Sequence, residues 1–303
     1  MLNKKPNDFT SGIFFAIICY LAWGMFPLFW KQLSHVDAVQ VLAHRILWSF
    51  IFVFLLIFFS KRKKYLIVLK QRRTWIWLTI TGILIGTNWV VYIYAISNGH
   101  IVESSFGYYI NPLMNVALGV IVLKERLPKL QIVAIVLAFL GILVISIHLG
   151  RIPIISLVLA TSFALYALYR KMANIDSMTA LLVETIVLLP FAIGWIIYSE
   201  INGTNYFGSD TTTTLLLMLG GVVTAIPLFW FGIATRKIPL STIGFIQYLS
   251  PTIQLILGIV VYKETFSTSH IIGFGFVWVA LIIFSVSIYQ RFHQQKSINN
   301  EKD

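Results

Sequence analysis

Ten apolar runs, each about 20 residues long and separated by short charged loops, require this 303-residue chain to fold within a lipid bilayer. Hydrocarbon about 30 Å thick is crossed by roughly 20 helical residues at about 1.5 Å each. The runs fall near 11–30, 37–60, 75–97, 102–123, 130–149, 152–170, 177–199, 212–234, 240–262 and 268–290. A transmembrane barrel would instead alternate apolar and polar residues over segments of about ten. With 58% hydrophobic and 11% charged residues, the polar surface is too small to cover a soluble globule of this length. The expected fold is an all-α integral membrane protein with ten transmembrane helices, and any activity must sit inside the bilayer.

The basic residues orient the spans. With the N-terminus inside, all of the 23 Lys and Arg except Lys31, Arg151, Lys263 and the intramembrane Arg45 fall on one face. Both termini are therefore expected in the cytoplasm, with residues 291–303 as a cytoplasmic tail of a plasma (inner) membrane protein. A net charge of +12 scattered over short loops fits topology and anionic lipid, and no nucleic acid is implied.

A gapless internal match relates the two halves. Asn111, Pro112, Gly119, Lys124 and Glu125 recur 139 residues later as Ser250, Pro251, Gly258, Lys263 and Glu264. Phe106, Tyr109 and Ala95 recur as Phe245, Tyr248 and Ala234. One repeat holds five spans, an odd number, so the second copy is expected upside down: residues 11–149 form one five-helix half and 152–290 its inverted counterpart. Inverted halves let a midplane site face each side in turn, the architecture of a carrier.

Polar residues at matched positions mark the expected site. Tyr108, Asn111 and Asn115 share one face of span 4, and the same offset gives Gln247, Ser250 and Gln254 on span 9. Lipid satisfies neither amides nor hydroxyls, so the stripes are expected to face each other across a cavity. Interhelical hydrogen bonding is the plainer account of the same pattern. Asn88 and Tyr92 on span 3 are further candidates for substrate contact. Pro112 and Pro251 each remove a backbone donor and are candidate hinges. Among intramembrane charges, Arg45 lies beside His44 in span 2 and Glu184 lies at similar depth in span 7, making Glu184 the first candidate partner of Arg45. Glu103, near the outer entrance of span 4, is a further candidate for charge or proton coupling. Trp23 and Trp230 are mid-span aromatics suited to packing or to a cavity wall.

Several segments together resemble the EamA-type branch of the drug/metabolite transporter superfamily, and its RarD-like members in particular. They are His44-Arg45-Ile46-Leu47-Trp48-Ser49, Gly99-His100-Ile101-Val102-Glu103, Gly107 to Leu113, Thr224 to Leu228 and Gln247 to Thr252. The resemblance covers essentially the whole chain. It implies ten helices in two halves and export or exchange of small metabolites or drugs across a bacterial inner membrane. The second half departs from symmetry where Gln247 and Ser250 replace Tyr108 and Asn111.

The function expected is that of a secondary carrier of a small-molecule solute, with membrane lipid as its surroundings. There is no Gly-x4-Gly-Lys-Ser/Thr signature for nucleotide, no metal-binding constellation and no cofactor motif. A channel or a sensor without transport fits the same spans. An intramembrane enzyme would need a nucleophile or metal pair, and neither His-Glu-x-x-His nor Gly-x-Ser-x-Gly occurs.

Overall fold

The computed structural model describes residues 6–59, 70–97, 101–149, 154–261 and 268–300. Every regular element among them is helical: α1 (Pro6–Trp30), α2 (Ala38–Phe59), α3 (Arg72–Ser97), α4 (Ile101–Ile121), α5 (Lys129–Leu149) and α6 (Ile154–Ala173). They continue as α7 (Ser177–Ile201), α8 (Thr211–Lys237), α9 (Leu240–Gln247), α10 (Leu249–Val260) and α11 (Thr268–Asn300). Six of them, α1, α2, α3, α6, α7 and α8, carry stretches long and apolar enough to cross a membrane, and α5 and α11 hold shorter apolar stretches.

Aspartates start several helices. Asp37 Oδ1 accepts from Val39 N and Gln40 N, each at 3.0 Å, Asp176 accepts from Met178 N at 3.2 Å, and Asp210 accepts from Thr213 N at 2.8 Å. Asp176→Ala is expected to lower stability by about 1 kcal/mol, read as a lower thermal midpoint in detergent, with Asp176→Asn close to wild type. At the end of α7, Gly203 takes φ of +65°, and Gly203 N and Thr204 N bond back to Glu200 O and Ser199 O. Those bonds satisfy carbonyls that a helix end leaves open.

The bundle exposes large apolar side chains and buries polar and charged ones within an apolar core. Phe58, Ile147 and Ile201 are 67%, 73% and 79% exposed, whereas Asn115, Arg170 and Glu184 are buried. That inversion is stable only where the surroundings are hydrocarbon. Packing joins α5 to α11, α4 to α6 and α9, α2 to α7 and α8, α3 to α6 and α7, and α1 to α8 and α10. Gly82 and Gly86 of α3 lie against Val187 and Leu188 of α7, the close helix contact expected of a small-residue face.

Two boundaries differ from the sequence expectation. The ninth run is not one helix: it breaks between Gln247 and Leu249, at Tyr248. Pro251 accounts for this, because proline removes the hydrogen bond to the carbonyl four residues earlier, that of Gln247, and its ring crowds that carbonyl. Pro112 sits inside an unbroken α4. The break lets α9 stay on α4 while α10 leans onto α1, so spans 4 and 9 touch at one end and part at the other. The tenth helix also runs on past 290 to Asn300, into the residues expected to form the tail.

Candidate functional site

Where α4 and α9 touch, the expected polar residues meet. Gln247 Nε2 donates to Asn111 Oδ1 at 2.5 Å, and Asn115 Nδ2 donates to Gln247 Oε1 at 2.8 Å. Asn111 Nδ2 donates in turn to Ala160 O of α6 at 2.6 Å. All three amides are buried. Instead of lining a cavity, they close on one another, because an amide in an apolar interior is best satisfied by another amide. Asn115 Oδ1 alone among their polar atoms lacks a partner within the described residues.

Backbone contact reinforces the closure. A Cβ on Gly244 would lie 2.5 Å from Pro112 O, so α9 approaches α4 more closely than any side chain permits. Below it, Lys124 adopts φ of +53°, a left-handed turn uncommon outside glycine. That turn brings Glu125 onto the start of α9, where its carboxylate accepts from Leu240 N at 2.7 Å, Ser241 N at 3.0 Å and Ser241 Oγ at 2.7 Å. A carboxylate on a helix N-terminus is stabilised by the exposed N–H groups and the helix dipole. Glu125 thus ties the end of α4 to the start of α9, while Lys263 and Glu264 lie outside the described residues. Lys237 bonds Ser11 Oγ at 3.0 Å and pairs with Asp8 at 3.2 Å, and Lys171 bonds the carbonyls of Thr235 and Ile238.

The remaining stripe residues sit apart from the amides. Ser250 is buried, and Gln254 is half-buried, donating to Trp23 O at 3.3 Å and to Ser250 Oγ at 3.4 Å. Asn88 ties α3 to α6 through Leu159 O at 2.8 Å and Ser162 Oγ at 3.0 Å. Trp23 packs among Tyr20, Phe163 and Phe231, and Trp230 packs against the same core, so both serve packing.

On the side where α10 has left α4, Tyr108 and Tyr92 meet edge to face with ring centroids 6.0 Å apart. Beside them is Arg45, half-buried, with Cζ 4.6 Å from the Trp30 ring centroid and 4.9 Å from that of Trp89. Its Nε donates to Thr224 Oγ1 of α8 at 3.1 Å. His44 is turned away, stacked on Phe207 at 5.0 Å, and neither ring nitrogen has a hydrogen-bond partner among the described residues. The Glu103 side chain lies outside the described residues.

Arg45 and Glu184 do not pair. Glu184 Oε1 lies 3.5 Å from Arg170 Nη1 and accepts from Thr81 Oγ1 at 2.7 Å, and its Oε2 accepts from Tyr166 OH at 3.3 Å. Both charged side chains are almost wholly buried. Arg170 falls at the edge of the sixth apolar run, where charge counting assigns it to the cytoplasmic face, but α6 carries it into the bundle. Its spacing of four from Tyr166 places both on one helix face, and that is the sequence signal for the pair. Gly232 makes room for it, since a Cβ there would lie 2.0 Å from Arg170 Nη2.

A helical bundle with an apolar exterior that encloses amides, tyrosines, a buried guanidinium and a half-buried one defines a multi-pass membrane protein with an internal polar site. The model of the EamA-like transporter family matches it twice, over residues 10–147 and 151–286. The uncharacterized transporter YojE of Bacillus subtilis is 40% identical over 91% of this chain and 94% of its own length. Protein RarD of Escherichia coli is 39% identical over 90% and 93%. The chloramphenicol-sensitive protein RarD of Pseudomonas aeruginosa is 25% identical over 90% and 93%. A crystal structure at 14% identity superposes with a TM-score of 0.72 over 91% of this chain and 97% of that one, a likeness of fold. The chain belongs to the EamA-like transporter family as a RarD-like member, a membrane transporter of the drug/metabolite group.

Proposed function

We propose that this protein is a secondary carrier that moves a small metabolite or drug-like solute across the inner membrane, by export or exchange, through alternating access between two inverted five-helix halves. Residues 11–149 and 152–290 are those halves, ten spans in all, with both termini cytoplasmic. Two matches to one family model, nearly coincident with these bounds, support the division.

The observation that carries the reading is the packing pattern. Exchanging each span with the one five positions away returns its largest contacts. Spans 4 and 9, 5 and 10, and 2 and 7 exchange within their pairs. The contact of span 1 with span 8 becomes that of span 6 with span 3, and the contact of span 2 with span 8 becomes that of span 7 with span 3. Two halves with interchangeable contacts can swap conformations, which is the basis of alternating access.

In this arrangement Asn111, Asn115 and Gln247 form the closed gate on the cytoplasmic side, latched by Glu125. Tyr92, Tyr108, Arg45, Ser250 and Gln254 face the side where spans 4 and 9 part, and are the substrate-facing set. Pro251 acts as hinge in this state and Pro112 in the opposite one. Asn88 supports the α3–α6 contact. His44 and Glu103 are the remaining candidates for coupling to a proton.

The test is counterflow in proteoliposomes. Unlabelled solute inside is expected to drive transient, saturable accumulation of the same labelled solute. Flux without saturation or counterflow would mean a channel, and absence of flux across a broad metabolite panel would mean a sensor. An imposed pH gradient that leaves flux unchanged would remove proton coupling.

A further inference from the structure

We propose that Arg45 anchors an organic monoanion, a carboxylate on a flat apolar body, in the aromatic recess formed by Trp30, Trp89, Tyr92 and Tyr108. The proposal deepens the carrier reading of the same site and rests on it.

The two guanidinium sites, Arg170 buried and Arg45 half-buried, are unequal. An arginine placed within the hydrocarbon is costly, so each needs compensation. Arg170 has the Glu184 carboxylate at 3.5 Å. Arg45 has two indole rings and one hydroxyl, and no carboxylate among the described residues lies within ion-pair distance. Cation–π contacts recover part of that cost, but they fill no hydrogen-bond donor and leave the charge in place.

Arginine carries five N–H donors in a planar fork. Nε is taken by Thr224, and among the described residues the terminal Nη groups have no hydrogen-bond acceptor. A carboxylate matches that fork with two parallel charge-assisted hydrogen bonds. A solute bearing an ammonium group is disfavoured, because the nearest fixed charge is itself positive and the described residues supply no carboxylate to meet it. Indole and phenol rings around the fork bound a flat, apolar space for the rest of the molecule.

The test uses the purified full-length protein in detergent at about pH 7.5, with tryptophan fluorescence followed during titration with 3-phenylpropionate and its uncharged analogue 3-phenylpropionamide. The acid is expected to give a saturable change and to bind about tenfold or more tighter than the amide. Arg45→Gln is expected to erase that difference, and Arg45→Lys to keep part of it, because an ammonium offers charge without the planar fork. Glu103→Gln is expected to leave the preference intact. The proposal is overturned if acid and amide bind alike, if neither gives a saturable change, or if the preference survives in Arg45→Gln. It is also overturned if the preference emerges only in Glu103→Gln, which would make Glu103 the counter-ion. The acid-to-amide ratio is read in the unmodified protein and does not depend on any variant folding. Binding of the acid without counterflow leaves the anion site and removes the carrier, whereas counterflow of the amide alone keeps the carrier and removes the anion site.

Discussion

Arg170→Ala is expected to destabilise the protein by about 3–5 kcal/mol, since removing one partner of a buried pair strands the other charge. Glu184 would remain in the interior with only Thr81 and Tyr166 as donors. Glu184→Gln strands Arg170 instead, whose Nε and Nη2 already lack partners among the described residues. Each single variant should therefore lower the midpoint of thermal unfolding in detergent by more than any capping change. Replacing both residues with apolar ones of similar volume, as in Arg170→Met with Glu184→Leu, should recover most of the loss, because the cost of desolvating the pair disappears with it. Single variants as stable as wild type would show that water reaches the pair and that it does not bind α6 to α7. A stable double variant without transport would assign the pair to the transport cycle rather than to the fold.

Gly244→Val should arrest transport with little effect on folding. The added side chain would meet Pro112 O at 2.5 Å and Asn115 Cβ at 3.1 Å, and a helix carbonyl cannot withdraw as a flexible side chain can. Overpacking of about 1–3 kcal/mol, placed entirely on the arrangement in which α4 and α9 touch, lowers its population roughly 5–150-fold. The readout is direct because Cys19 is the sole cysteine and is buried. In a Cys19→Ala background, Asn115→Cys should react faster with a membrane-impermeant maleimide once Gly244→Val is added, and counterflow should fall by a comparable factor. Gly194→Val serves as the control, since a Cβ at Gly194 meets nothing. Unchanged reactivity of Asn115→Cys would show that the α4–α9 contact is not the gate.

The all-helical membrane fold was legible because hydrocarbon leaves an unmistakable compositional mark, and polar residues matched at a fixed offset put α4 beside α9. Asn111, Asn115 and Gln247 met as the matched stripes required. What they do there was not legible. Facing amides can line a cavity or bond to one another directly, and both arrangements leave the same pattern in a sequence. The Glu184 partner was misread for a different reason. Depth in the bilayer matches Glu184 to Arg45, but partner choice follows from which helices adjoin, and Glu184 looks toward α3 and α6. Arg170 was hidden by its place at the edge of an apolar run, where a basic residue reads as an interfacial anchor.

The broken ninth span also bears on how a state is recorded in the backbone. Pro112 and Pro251 stand at equivalent positions, yet only Pro251 follows a break. Proline permits the break, and the surrounding helices decide whether it opens. If the halves trade roles, the discontinuity should leave Tyr248 and reappear at Tyr109, its counterpart in span 4. The pair of prolines then works as a two-position pointer: whichever span is bent names the side of the membrane from which the interior can be reached.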